Sequence, residues 1–223
     1  MLATLSLAEP KFHAGRHITE SQSWPLALER FPELAKHGAY SSSAVYTSHD
    51  IAGLVSFATS LGVSIMLEVD MPGHTASIAQ SHPEHVACAD KEPWEAYGVQ
   101  PPPGQLRVRS KATAQFARDV TRDAARLTPA PLFSTGGDEV NMRCLEEEEQ
   151  GGAGDIEQFV LGLHGTLREE RKTPVVWQEM VLDHHVKLQH DTVRPSQSLG
   201  RDAHERCADR HGVDLERAHR QGA

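Results

Sequence analysis

Two short stretches carry the residue types that do chemistry. The first is STGGDEVN, residues 134–141, in which Gly136 and Gly137 precede two adjacent carboxylates, Asp138 and Glu139. Neighbouring side chains on a regular strand face opposite ways, so these two converge only where a strand ends and the backbone bends. The glycines permit that bend and let a ligand come close. Two nearby carboxylates resist ionising together, so one tends to keep its proton near neutral pH. A carboxylic acid beside an ionised carboxylate is what glycoside hydrolysis needs. The same pair also fits a plain helix start, where the dipole favours acidic side chains. The second stretch is EVDMPGH, residues 68–74, in which Asp70 and His74 flank a Pro-Gly turn and can meet across it. A carboxylate bound to an imidazole raises its basicity and fixes its tautomer, and that imidazole can tune a third group. An exposed polar turn is the alternative.

Trp177 closes the run VVW. An aromatic face at the mouth of a site suits the C–H groups of a sugar ring, although a core tryptophan is the commoner use. Histidine is frequent, with 14 in the chain. His82 with His85, and His184 with His185, resemble ligand pairs, but no HExxH run holds them. Their surroundings are polar, so they read as surface residues. A metal held by His17, Asp70, His74 and Glu139 is sterically feasible and makes a metal-dependent hydrolase one alternative. Cys88, Cys144 and Cys207 show no CxxC spacing and are too few for a disulfide scaffold, so no structural zinc site is expected.

Each of these residues needs an element to carry it. In 48–62, Ile51, Leu54, Val55, Ala58 and Leu61 fall at helical spacing, Ser48 can cap the start, and Gly62 sits where a C-terminal glycine belongs. The run VSIMLEV, 63–69, then reads as a strand that delivers Asp70. The pattern returns with Phe116, Ala117, Val120, Ala124 and Leu127 as a helical stripe behind Ser110, and a strand at 132–135 that delivers Gly136 to Glu139. It returns again after EEEEQGGAG, a linker by composition. There Asp155 caps a helix bearing Ile156, Phe159, Val160, Leu163 and Leu167, and the strand VVW leads to Gln178 and Glu179. A weaker unit comes earlier, a strand near 12–18 leading to His17, Glu20, Ser21 and Gln22. Alternating helix and buried strand implies an α/β fold with a parallel sheet. Polar residues after each strand put the site at the sheet's C-terminal edge, in a (β/α) barrel or an open doubly wound sheet alike. GxGxxG and GxxxxGK[ST] are both absent, which removes support from the nucleotide-binding versions.

Composition narrows the class. The chain has 223 residues, 39% of them hydrophobic, enough to bury a real core. A formal net charge of -9 argues against nucleic acid or an anionic membrane as partner. No run approaches the roughly 18–20 apolar residues of a membrane span. The N-terminus shows no basic segment followed by an apolar one, so no signal peptide is visible. The last thirty residues hold six arginines and no aromatic side chain, and read as a solvated helical or disordered tail, 194–223.

The motifs HITESQSWP, LEVDMPGHTA, STGGDEV and TPVVWQEM, in that order along the chain, together resemble the family 20 glycoside hydrolases, the β-N-acetylhexosaminidases. The fungal secreted enzymes look closest, through HPEHVACAD and VVWQEMVLDH, and the likeness covers residues 10–193. The resemblance implies a TIM-barrel catalytic domain, here a partial barrel over 1–193, that removes terminal N-acetylglucosamine or N-acetylgalactosamine. It implies catalysis assisted by the substrate, whose own 2-acetamido oxygen attacks the anomeric carbon, an exception to the two-carboxylate scheme. Glu139 is then the general acid and later the base. Asp138 holds the acetamido N–H, Asp70 and His74 form a relay that tunes Glu139, and Trp177 walls the pocket. His17 and Glu20 would contact the sugar. The resemblance implies no metal and no organic cofactor, a disulfide between Cys88 and Cys144, and secretion into an oxidising compartment.

Departures accompany the likeness. Where relatives read HWHITDSQSFP, this chain has HAGRHITESQSWP, so Arg16 replaces a tryptophan and Glu20 an aspartate that contacts sugar hydroxyls. One methylene shifts a carboxylate by about 1 Å, which can cost about 10²-fold in rate. The likeness also implies truncation at both ends, since an eight-stranded barrel takes about 250 residues. An incomplete barrel leaves edge strands and apolar faces uncovered, which predicts poor solubility or self-association into a homo-oligomer. A non-catalytic sugar-binding relative is the main alternative.

Overall fold

The structure, a computed structural model, describes residues 2–6, 23–149 and 151–194. In chain order its elements are β1 (Leu2–Ser6), α1 (Pro32–Gly38), α2 (Ser48–Ser60), β2 (Ser64–Glu68), β3 (Val86–Ala87), β4 (Gln105–Leu106), α3 (Lys111–Ala125), β5 (Leu132–Ser134), α4 (Met142–Glu149), α5 (Ala153–Glu169), β6 (Thr173–Val175) and α6 (Glu179–Leu182). β1, β2, β5 and β6 form a parallel sheet in that spatial order. A parallel bridge from Val175 to Val193 begins a further position beyond β6. Parallel strands joined through helices and lying in sequential order make a partial, unclosed (β/α) barrel.

Period-two alternation divides each strand between two faces. Leu67, Val69, Phe133 and Val176 join the main core with Phe116, Val120, Ile156, Phe159 and Leu163 of α3 and α5. Met66, Leu132 and Val175 form a separate apolar cluster on the other face. Two residues further on, that face turns polar, where Ser134 Oγ donates to Glu68 Oε2 at 2.6 Å. Two more residues reach Asp70 and Gly136, and two residues past Val175 stands Trp177, all at the C-terminal edge.

The helices begin for local reasons, and some differ from the sequence expectation. α3 is capped by Ser110, whose Oγ accepts from Thr113 N–H, as expected. α2 is capped by Thr47 rather than Ser48. Thr47 and Asp50 each accept from the other's backbone N–H, a reciprocal box that Ser48 has no partner at the right spacing to form. Asp155 does not precede its helix but reaches back from the third helical position to the N–H of Gly152. EEEEQGGAG is only partly a linker, because its glutamates belong to α4. Asn141 Oδ1 accepts from Cys144 N–H at the start of that helix, and Arg143 pairs with Glu147 at 2.6 Å along it. Leu54 and Leu61, placed in the buried stripe of α2, stand exposed beside Phe57 among the described residues; only Ile51 and Ala58 are fully buried. The strand expected at 12–18 lies outside the described residues, as does the tail beyond Arg194. β1 at 2–6 was not expected.

Four histidines expected at the surface divide. His85 stacks on Phe116 at 4.3 Å with His82 beside it, His184 is buried, and His185 is exposed. His164, on α5, is fully buried against Thr135 Oγ1 at 3.2 Å. Burial lowers its pKa to about 4, helped by the charge of Arg168. The neutral ring is therefore the folded form. Above the unfolded value near 6.5 both states are neutral and stability is full. As pH falls from there toward about 4 the unfolded chain takes up a proton that the fold refuses, and stability declines. The whole step is about 3 kcal/mol for a shift of this size. Urea unfolding of the wild type and of His164→Asn at pH 7 and pH 4 measures it: the wild type should lose more than the variant, and equal losses would remove the assignment.

Candidate active site

The loops after β2 and β5 are sewn together by backbone. Val69 N–H donates to Ser134 O, Met71 N–H to Thr135 O, and Trp177 N–H to Gly136 O at 2.9 Å. Gly73 lies so close that a Cβ there would come within 2.9 Å of Asp138 O. The 72–75 turn is held from the other side by a small antiparallel lobe, with Leu106 N–H on Pro72 O and Thr75 N–H on Gly104 O. That lobe carries Cys88, which is disulfide-bonded to Cys144 of α4 across 56 positions of sequence.

This stitching brings four of the expected residues into one site. His74 Nε2 lies 3.1 Å from Glu139 Oε2, with the imidazole buried and the carboxylate partly open. Both residues take left-handed backbone, φ +53 and +55. Asp138 and Glu139 precede α4 instead of starting it, so the helix-start reading of the pair does not apply. Asp70 and Asp138 are buried. Asp70 Oδ1 accepts from Gly137 N–H at 2.7 Å, and the carboxyl shares a hydrogen bond with Asp138. Burial above all, and then the Asp138 carboxyl, push the Asp70 pKa well above the ordinary carboxylate range, against the pull of that N–H. The raised value favours the protonated form of Asp70 beside Asp138. Trp177 lies half-buried two residues past the end of β6. His17 and Glu20 lie outside the described residues.

A neutral Asp70 makes a distinctive expectation. Asp70→Asn keeps an oxygen for Gly137 N–H and a donor for Asp138, so any catalytic rate should fall by less than about 10-fold. Asp70→Ala leaves a buried N–H without its acceptor, which costs about 1–3 kcal/mol. Paired thermal melts and rate measurements check this, and a collapse in the asparagine variant equal to that in alanine would show that the ionised form is the one required.

Asp70, His74 and Asp138 each bring one ligand-capable atom within 4.8 Å of the others. This donor set differs from the one expected, which used His17 and Glu139. Beside the Glu139 carboxylate opens a cavity of about 20 Å³, lined in part by His74, Tyr97, Gln105 and Asn141; a water needs about 10–15 Å³. Gln105, Asn141 and Glu68 were not singled out from sequence, whereas Glu179 was named among the polar residues that follow the strand VVW. Glu68 had a legible signal, since it precedes Asp70 by the two residues that keep a strand face. Gln105 and Asn141 are brought in by loops whose course no periodicity reveals.

Comparisons with known proteins identify the family. The catalytic domain of glycosyl hydrolase family 20 matches residues 10–215. The chain is 35% identical over 195 residues to a beta-hexosaminidase of Arthroderma benhamiae, covering 83% of this chain and 32% of that protein. It is 38% identical over 135 residues to a chitooligosaccharidolytic beta-N-acetylglucosaminidase of Bombyx mori, covering 60% and 22%. It thus spans a third or less of the length of these relatives. A solved family 20 beta-N-acetylglucosaminidase superposes with a TM-score of 0.59 at 28% identity, over 74% of this chain and 36% of that one. A GH20 exo beta-N-acetylglucosaminidase from Vibrio harveyi shares the fold with a TM-score of 0.63 at 24% identity, over 89% and 35%. With that match over most of its length, the chain belongs to glycosyl hydrolase family 20 through that family's catalytic domain.

Proposed function

We propose that this chain is a β-N-acetylhexosaminidase unit that releases terminal N-acetylglucosamine or N-acetylgalactosamine with retention, using the substrate's own acetamido group. The observation that carries the reading is the placement of the three acids: Glu139 lies on His74, while Asp138 is buried against Asp70, whose pKa is raised. Glu139 gives its proton to the leaving oxygen as the glycosidic bond breaks. The acetamido oxygen bonds to the anomeric carbon from the opposite face, forming an oxazolinium ion. Asp138 accepts a hydrogen bond from the acetamido N–H and stabilises the positive charge. Trp177 packs on the acetamido methyl. Glu139, now a carboxylate, takes a proton from the water that reopens the ring at the anomeric carbon. Two inversions give net retention. His74, with Asp70 close behind it, tunes Glu139, and His17 and Glu20 contact the sugar. The Cys88–Cys144 bond supports a secreted protein of the fungal type, and the open sheet supports self-association and truncation of a larger enzyme.

The test is hydrolysis of a fluorogenic N-acetyl-β-glucosaminide beside the matching β-glucoside, which lacks the acetamido group. Only the first should be cleaved. Equal cleavage of both would remove substrate assistance. Binding of a thiazoline analogue without turnover of either would make the chain a sugar-binding relative.

A further inference from the structure

Glu139 is asked to do the chemistry from a backbone conformation that disfavours any residue with a Cβ. Its φ of +55 is left-handed, and such a residue persists only when its surroundings over-determine it. The hydrogen bond that holds it comes from a residue to which the reaction gives no role. Glu139 N–H donates to Glu179 Oε2 at 3.0 Å. A carboxylate acceptor makes this a charge-assisted bond, stronger than one to a neutral oxygen.

Glu179 is well placed for the task. It opens α6, directly after the loop that carries Trp177. That loop is bound to the strand-end glycines by Trp177 N–H on Gly136 O. The next residue, Met180, is fully buried, and a Cβ on Gly137 would come within 2.8 Å of its Cγ. α6 and the loop before it therefore meet the 136–139 segment at three points: Gly136 through Trp177, Gly137 through Met180 and Glu139 through Glu179. Only the last acts on the reacting residue, and it does so through the main chain, leaving the side chain to His74.

We infer that Glu179 is a positioning residue, whose carboxylate clamps the Glu139 main chain so that the acid stays on His74. The inference rests on the proposed function for the catalytic meaning of Glu139, but the clamp itself can be read without turnover. Two substitutions of the whole chain separate reach from charge. Glu179→Asp keeps the charge and withdraws it by one methylene; Glu179→Gln keeps the reach and an acceptor oxygen. Hydrogen exchange of the Glu139 amide should be protected in the wild type and in the glutamine variant, and should speed up in the aspartate variant by at least about 10-fold. On the N-acetyl-β-glucosaminide, kcat of the aspartate variant should fall by about 10²-fold, the cost of misplacing a reacting group by about 1 Å. Its KM should change little, and glutamine should restore most of kcat. Protection in the aspartate variant equal to wild type, or a glutamine variant as slow as aspartate, overturns the inference. A wild type that cleaves nothing removes the functional reading instead, and the exchange measurement still decides the clamp.

Discussion

Glu139→Gln is expected to lower turnover of an N-acetyl-β-glucosaminide by on the order of 10²–10⁴-fold while leaving KM nearly unchanged. Glutamine has the size of glutamate, and its backbone N–H still donates to Glu179. It keeps an oxygen or nitrogen near His74 Nε2 but has no proton to give. The loss therefore falls on the transition state and not on binding. Leaving-group chemistry sharpens the expectation. An acidic phenol departs without help, so the glutamine variant should lose least on a dinitrophenyl glycoside and most on a disaccharide. Asp138→Asn should behave differently. It weakens the hold on the acetamido group, which forms the bond to the anomeric carbon whatever departs, so its loss should be similar for both substrates. The two acids are adjacent in sequence, and a crossover of these patterns would exchange their roles. The measurement is kcat and KM for both variants on both substrates.

How much of this could be seen in the sequence depends on the range of the interaction. The α3–β5 and α5–β6 units were legible because their apolar stripes repeat at helical spacing and end in strands. The convergence of Asp138 with Asp70 was only half legible. Each sits where a strand must end, but which carboxyl faces which depends on register: Glu68 pairs with Ser134, so two residues on Asp70 meets Gly136 and its successors. No local pattern encodes that offset. From adjacency alone the interacting carboxyls were Asp138 and Glu139; in the fold Asp138 meets Asp70 instead, while the left-handed turn at Glu139 carries that side chain to His74. β1 was missed because LATLS is short and has no turn signal before it. α4 was missed because four successive glutamates oppose a helix electrostatically, and the Cys88–Cys144 bond and the Arg143, Lys91 and Arg107 cations that offset them come from other parts of the chain or from one position within it. Trp177 was placed at a strand's end and lies two residues beyond it, since β6 stops at Val175 where the chain turns to donate to Gly136.

Gly136→Ala should be the most damaging glycine-to-alanine change among the described residues. Gly136 has φ +62, where alanine costs about 1–2 kcal/mol more than glycine. Its Cβ would also fall on Asp70, 2.8 Å from that residue's Cα and in overlap with its carboxyl group. Backbone and a buried carboxyl cannot yield as the end of a flexible side chain can. Displacing Asp70 would release the Gly137 N–H, another loss of about 1–3 kcal/mol for a buried donor. Together these come to about 4 kcal/mol or more, near the upper end of single substitutions. For a domain of this size that is a fall of about 10 °C in Tm. Activity should vanish faster than stability, because moving Asp70 moves Asp138, the group that must meet the acetamido N–H. Gly53→Ala is the matched control. It lies in the exposed interior of α2 with nothing within 4 Å of the added methyl, so the same substitution should stabilise by about 0.5–1 kcal/mol through helix propensity. Thermal unfolding of both variants decides the matter. A Gly136→Ala protein that melts with the wild type would mean that Asp70 has room to retreat, and the tight seam between the β2 and β5 strand ends, on which the proton-sharing pair depends, would not exist.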